Sequence, residues 1–421
     1  MKIKDLKGKE LLAIDVFSKA EIRNEDIKLV LEPEAASLYC NINTSCKIVK
    51  FDGKVGLESF PVGHRYIVAD LGGGTADLAV HEILDDHNLR EIARSDGDAY
   101  GGVLVDNALQ EFLSEFFGRD VIQTLIEQQT HGYMEFRRKF ESKKRGFKSD
   151  VNAINIKLPL WDLKDAFEAC NHCYDVKPMQ STQERLNLCT MGFFDTAVDG
   201  IVKFIQQIRT TDELGMIHTI LMFGGFSESK YVQERIENEI PGVRLVIPTD
   251  PSLAVLKGAV LYGKTPRAIT ERIARFSYGF SVGRPFEEGI DPEELKYTKN
   301  GKKYCGSIFE KLITKGQILK QGQIFSDKIN YFLDTDTDLS SMLSKAPAAA
   351  PIFKSTKVDP SKYSTAEDCE EIGKLIILPP PTGWPLVSVF DHVLIVGESE
   401  LQAFARNNET NQMHETTLDC L

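Results

Sequence analysis

No apolar run in this 421-residue chain approaches the roughly 20 residues that a bilayer-spanning helix requires, so a helical membrane anchor is not expected. Leu11-Leu12-Ala13-Ile14 is cut short by Asp15, which argues against a secretory signal. Long runs of basic residues are also missing. Arg137-Arg138-Lys139 and Lys143-Lys144-Arg145 are the only short clusters, and a formal net charge of −12 opposes phosphate backbones over most of the surface, so nucleic acid is not an expected partner. The eight cysteines show no close, regular spacing, which suits free thiols in a reduced, cytoplasmic setting better than a disulfide framework. Cys170-Asn171-His172-Cys173 has no second ligand pair to complete a zinc site. No internal repeat is evident. With 42% apolar residues the chain can build ordinary cores, and its length allows two or three domains.

The most informative stretch is Asp70-Leu71-Gly72-Gly73-Gly74-Thr75-Ala76-Asp77. Tyr66 to Ala69 and Ala76 to Leu84 read as strands, which makes the three glycines a hairpin tip. Glycine permits a close backbone approach, so successive N–H groups can face phosphate oxygens, while Asp70 and Asp77 can hold Mg²⁺ directly or through water. An ordinary glycine-rich hairpin is the plainer alternative. A dinucleotide fingerprint would lead into a helix, and a P-loop would carry Lys-Ser/Thr after its last glycine; neither occurs at this turn.

Further segments follow in order. Leu31-Glu32-Pro33-Glu34-Ala35-Ala36 lies upstream. Downstream, Gly97 to Asp106 contains Gly101-Gly102 and opens a helix marked by Leu109, Phe112, Leu113, Phe116 and Phe117, whose N-terminus would favour an anion. Glu141, Lys144 and Arg145 read, on their own, as a solvated helix face. Thr219 to Phe223 reads as a buried strand, followed by Gly224-Gly225-Phe226-Ser227 and a helix. In the segment Asp250 to Gly263, Asp250 is expected as an N-cap, Pro251 at the first helical position, and Gly258 as a site of close packing.

Taken together, these strings resemble the actin-like ATPase superfamily, in particular the seventy-kilodalton heat-shock chaperones, and Glu-Pro-Glu-Ala-Ala with Gly-Gly-Phe-Ser looks most like their divergent twelfth subfamily. The resemblance implies an α/β fold: a partial actin-like, ribonuclease H-like ATPase domain over residues 1–265, then a smaller β-rich, sandwich-like domain over 266–421 with a mobile insertion at about 334–368. It implies ATP or ADP and Mg²⁺ as ligands. Gly72, Gly73, Gly74 and Thr75 would contact phosphate, with Gly101 and Gly102 in the adjoining loop. Asp70 and Asp77 would serve the metal, Glu32 the attacking water, and Glu32, Asp70 and Thr75 together the catalysis. Gly224, Gly225, Ser227, Glu141, Lys144 and Arg145 would hold the nucleoside. Apolar client peptides and co-chaperones are the implied partners.

The departures from the pattern set the expected activity. The family's first phosphate hairpin, an Asp-x-Gly-Thr-Thr type string, and its catalytic lysine have no counterpart before Glu32, where Gly8 is the single glycine. The chain therefore reads as N-terminally truncated, with hydrolysis impaired or absent. Ser252 and Glu228 replace an aspartate and an adenine-stacking arginine common in the chaperones. A non-catalytic scaffold or interaction protein that keeps the fold is the alternative.

Overall fold

The computed structural model describes residues 30–42, 48–49, 55–56, 60–84, 88–94, 99–128, 130–148, 154–170, 185–188, 191–210, 215–264, 269–332, 345–397 and 400–418. The expectations for residues 1–22 and for Cys173 fall outside that set. The chain divides into two compact units, one of residues 32–88 and 94–268, the other containing 269–421 and the strand at 89–93.

The first unit is built on a sheet whose central strand, β1 (Arg65–Leu71), turns back antiparallel into β2 (Ala76–Ile83). On its other side β1 runs parallel to β3 (Thr219–Phe223), which runs parallel to β4 (Arg244–Pro248). From Tyr66 to Leu71, and throughout β3, every residue is buried, as expected of parallel strands covered on both faces. β2 is covered on both faces as well: Ala79 and His81 are buried as fully as Leu78 and Val80.

Eight helices are described in this unit. They are α1 (Glu32–Ile42), α2 (Val103–Phe117), α3 (Arg119–Gln128), α4 (His131–Arg145), α5 (Leu160–Ala169), α6 (Met191–Arg209), α7 (Lys230–Glu239) and α8 (Ala254–Lys264). α1 packs on α8 where Gly258 lies against the Ala35 carbonyl; a methyl group there would overlap it, so the glycine permits the close approach its sequence context suggested. Asp250 does not cap α8. Pro251–Leu253 forms a 3₁₀ turn first, and the Asp250 carboxylate instead accepts from Lys257 Nζ at 2.7 Å.

The second unit is β-rich. One sheet contains β5 (Ser277–Pro285), β6 (Lys302–Ile313), β8 (Ala348–Ser355) and β9 (Cys369–Ile377), with Lys296–Lys299 at its edge; the other contains β7 (Ile324–Phe332), β10 (Val387–Val396), β11 (Leu401–Asn407) and β12 (Met413–Leu418). Phe280, Ile352 and Leu375 from the first sheet share a core with Phe390, Leu394 and Ala403 from the second. β11 and β12 form a hairpin joined by a polar loop.

One expectation fails here. The stretch read as a mobile insertion contains β8, whose Ala350 and Ile352 are buried; its Ala-Pro composition hid a strand. Pro351 is tolerated because β5 pairs with β8 only from Phe280↔Ile352 to Ser277↔Ser355, so the missing N–H lies beyond that ladder. β6 ends at Ile313, Gly316 turns with φ of 84°, and Ile318–Lys320 pairs elsewhere, with Ile269–Ile273. No helix among the described residues is long and apolar enough to cross a membrane.

Candidate nucleotide site

Because β1 and β3 are parallel neighbours, their C-terminal ends lie on the same sheet edge, and each continues directly into a glycine turn. Gly224, at φ 86°, lies so close to Leu71 and Asp70 that a side chain would overlap the Leu71 carbonyl and the Asp70 carboxylate. Only glycine meets both demands. The second turn is held from below by Gly224 N–H donating to the Pro251 carbonyl at 3.1 Å. Ser227, fully buried, donates its hydroxyl to the Gly224 carbonyl at 2.7 Å, so it braces the turn.

The Gly72–Thr75 tip is fixed by the loop before α2. Gly102 N–H donates to the Gly72 carbonyl at 3.1 Å and Val103 N–H to the Gly73 carbonyl at 2.7 Å, while a methyl at Gly101 would overlap Gly73 and Gly74. The first amides of α2 are thus consumed by the hairpin tip, which corrects the expectation that they would face an anion themselves. The consequence passes to the tip. With its carbonyls turned toward α2, the Gly73 and Gly74 N–H groups donate to nothing among the described residues, and both glycines are exposed. Paired free amides on an exposed turn form an anion-binding concavity.

Asp70 and Asp77 face each other across the hairpin, in register, and Thr75 Oγ1 donates to Asp77 Oδ2 at 2.9 Å. Asp70 is buried at 3% exposure. Two carboxylates held opposite one another suit a divalent cation. Among the described residues no group of three or more His, Cys, Asp or Glu could hold a metal, but Mg²⁺ commonly takes one or two carboxylates and completes its shell with water and phosphate oxygens, so this pair fits it.

The third wall is α4. Lys144 does not lie on a solvated face: it is 5% exposed, and its Nζ contacts Asp106 at 2.9 Å, Glu141 at 2.6 Å and the Gly102 carbonyl at 3.3 Å. Burial pushes the Asp106 carboxyl above its ordinary range despite the Lys144 hydrogen bond. For Glu141, burial also opposes ionisation, but hydrogen bonds from Lys144 and Arg145 prevail and hold its pKa below the usual value. Arg145 spans Glu141 at 2.8 Å and Glu228 at 3.2 Å, and the Glu141 hydrogen bond leads in raising its already high pKa. Gly73, Gly102, Gly225, Phe226, Glu141, Lys144 and Arg145 all line one cleft of about 80 Å³.

The structure therefore gathers Gly73, Gly102, Gly225, Glu141, Lys144 and Arg145 around one space, with Asp70, Asp77, Gly72, Gly74 and Thr75 at the adjoining tip. Glu32 opens α1, half-buried, and no hydrogen bond or ion pair among the described residues ties it to the tip. Asp106 and Phe226 were missed as parts of this site, and Glu228 was named only as a replacement for an adenine-stacking arginine, not as the partner of Arg145. Asp106 was legible as the residue one turn into α2; Phe226 belongs to the second glycine turn, whose glycines carry the stronger local signal.

Comparison with known proteins points the same way as the sequence strings. Human heat shock 70 kDa protein 12B is 27% identical over 354 residues, covering 71% of this chain and 52% of its own length. Human heat shock 70 kDa protein 12A is 25% identical, covering 72% and 52%. The chain is similar to proteins of the seventy-kilodalton heat-shock superfamily. Within it, the likeness is to the twelfth subfamily, as the Glu-Pro-Glu-Ala-Ala and Gly-Gly-Phe-Ser strings suggested. A mitochondrial heat shock 70 kDa protein of Solanum tuberosum matches at 26% over 310 residues, 71% of this chain and 37% of the relative. A family model described as a domain of unknown function, DUF8340, matches residues 63–248. The chain spans about half the length of the twelfth-subfamily proteins it matches.

Proposed function

We propose that this heat-shock relative binds ATP or ADP with Mg²⁺ at the Gly72–Thr75 tip, as a chaperone-type protein acting in the cytoplasm. One observation carries the reading: the free Gly73 and Gly74 amides sit on the same sheet edge as the Gly224–Gly225 turn and beside Lys144 and Arg145. Phosphate oxygens would accept from those amides. Asp70 and Asp77 would hold Mg²⁺, which neutralises charge developing on a transferring phosphoryl group. Gly225, Phe226 and Arg145 would receive the nucleoside, and Glu32 would orient water. Apolar client peptides at the β-rich unit and co-chaperones complete the proposal.

Hydrolysis by these 421 residues assayed alone is slow in this reading. No counterpart of the first phosphate hairpin or its lysine lies before Glu32 in these residues, and loss of one important donor typically costs roughly 10²–10³ in rate. The cleft's cations, Lys144 and Arg145, lie on the nucleoside side and are already committed to Asp106, Glu141 and Glu228. The same pairing supports a second reading, a non-catalytic interaction protein that keeps the fold, because the cleft of about 80 Å³ falls far below the ~300 Å³ at which ordinary ligand clefts begin.

A thermal-shift titration separates the two. Mg-ATP at about 100 times its Kd should stabilise the protein by about 2.7 kcal/mol. Gly74→Ala meets open space in the protein and should leave the unliganded midpoint unchanged while weakening the Mg-ATP shift. No shift for the unsubstituted protein at millimolar Mg-ATP would overturn nucleotide binding and leave the interaction protein standing.

A further inference from the structure

Away from the glycine turns, α2, α3 and α4 enclose a second and larger cavity, of about 390 Å³. Its volume lies within the ~300–1,000 Å³ of ordinary small-molecule sites. Leu109 and Leu113 from α2, Ile122 and Leu125 from α3, and Phe136 and Phe140 from α4 give it an apolar wall. Three close helices would ordinarily fill such a space with side chains.

The polar groups around this wall are unequal. Asp106 and Glu141 reach it, but both carboxylates are already engaged by Lys144. Arg137 and Arg138 also line it, and neither has a hydrogen bond or ion pair among the described residues. Tyr133 lines it as well, is 7% exposed, and finds no partner for its hydroxyl among the described residues. That hydroxyl is not among the buried polar atoms left without a partner, so it opens to solvent, where a ligand acceptor can reach it. Arg137 and Arg138 thus bring exposed positive charge, opposed at Arg137 by the field of Asp106 but not hydrogen-bonded, to the edge of an apolar interior in a chain whose net charge is −12.

We propose that the α2–α3–α4 cavity binds an amphipathic anion, an acyl chain with a carboxylate head, with the chain against Leu109, Leu113 and Phe140 and the head on Arg137, Arg138 and Tyr133. An anionic head is selected over a hydroxyl because a charge-assisted hydrogen bond to guanidinium is about twice as strong as a neutral one. Glu141 lines both this cavity and the smaller cleft beside the glycine turns. Binding here stands apart from the nucleotide reading and is tested without nucleotide.

The test is isothermal titration of the full chain with decanoate, and with decanol as the uncharged probe, joined to hydrogen-exchange mapping. Saturable binding of one decanoate per chain is expected, with new protection in residues 103–145. Decanol should bind roughly tenfold more weakly, and decanoate should lose roughly tenfold in affinity in the double variant Arg137→Gln/Arg138→Gln, whose exposed side chains make a folding defect avoidable. Leu113→Phe, which fills part of the cavity, should weaken both probes alike. Equal affinity for the two probes, unchanged affinity in the arginine variant, protection confined to residues 277–418, or no saturable binding would each overturn the proposal.

Discussion

Around the glycine turns backbone meets backbone: Gly258 against the Ala35 carbonyl, Gly101 against Gly73 and Gly74, Gly224 against Leu71. In the β-rich unit the close meetings are between rings. Phe280 lies 4.5 Å from His392, and Tyr331 and Trp384 lie 5.4 and 6.0 Å from Phe390, centroid to centroid. The difference bears on what each unit tolerates. A site made of main-chain amides needs the chain itself brought close, so a methyl added where backbones touch is costly; a core made of rings is sensitive to the opposite change, the removal of volume.

The largest effect should therefore come from deletion in the ring core. Phe390→Ala, at a residue 1% exposed, should cost about 3–5 kcal/mol in urea unfolding followed by hydrogen exchange in residues 277–418. A cost below that of an ordinary surface change would break the contrast.

Next comes the buried histidine in the same core. Burial lowers the His392 pKa from the usual 6.5 to about 4, while Tyr331 OH and its Nε2 lie 2.9 Å apart and Nδ1 has no partner among the described residues. The unfolded chain takes up this proton at higher pH than the folded one. Stability is therefore full above about pH 6.5 and is lost as pH falls toward 4, by roughly 3 kcal/mol for this group alone. His392→Gln keeps a polar partner for Tyr331 and should flatten that part of the pH profile; an unchanged difference between pH 7 and pH 4 would show that the ring is not held neutral.

Gly258→Ala sharpens the other side of the comparison. It should cost toward the top of the roughly 1–3 kcal/mol typical of overpacking, although it adds a good helix former to α8. A gain in stability would mean that α1 and α8 separate freely. The smallest effect on stability belongs to Gly74→Ala, near zero in the free protein, where the change should appear only in the response to Mg-ATP.

How far the sequence could be read follows the same division. The β1–β2 hairpin, β3 with its glycine turn, the α2 helix and the close packing at Gly258 were legible because each is specified within a few neighbouring residues. Lys144 was legible as a position but not as a buried ion pair, since Asp106 lies 38 residues away. β8 was not legible: Ala348 to Pro351 acquires its strand conformation from β9, with Pro351 opposite Lys374. Strands whose identity comes from a distant partner carry little local signal.

The contact between α1 and α8 has a consequence for the order in which the protein is made. Lys257 reaches the Tyr39 hydroxyl at 3.4 Å across a separation of 218 residues. At ~5–20 residues per second, a ribosome needs on the order of ten to forty seconds to supply that partner. Throughout that interval Ala35, Ala36 and Leu38, all buried in the finished fold, have no α8 to cover them. A relative of the chaperones would, on this account, itself present a nascent segment of the kind that holding factors bind.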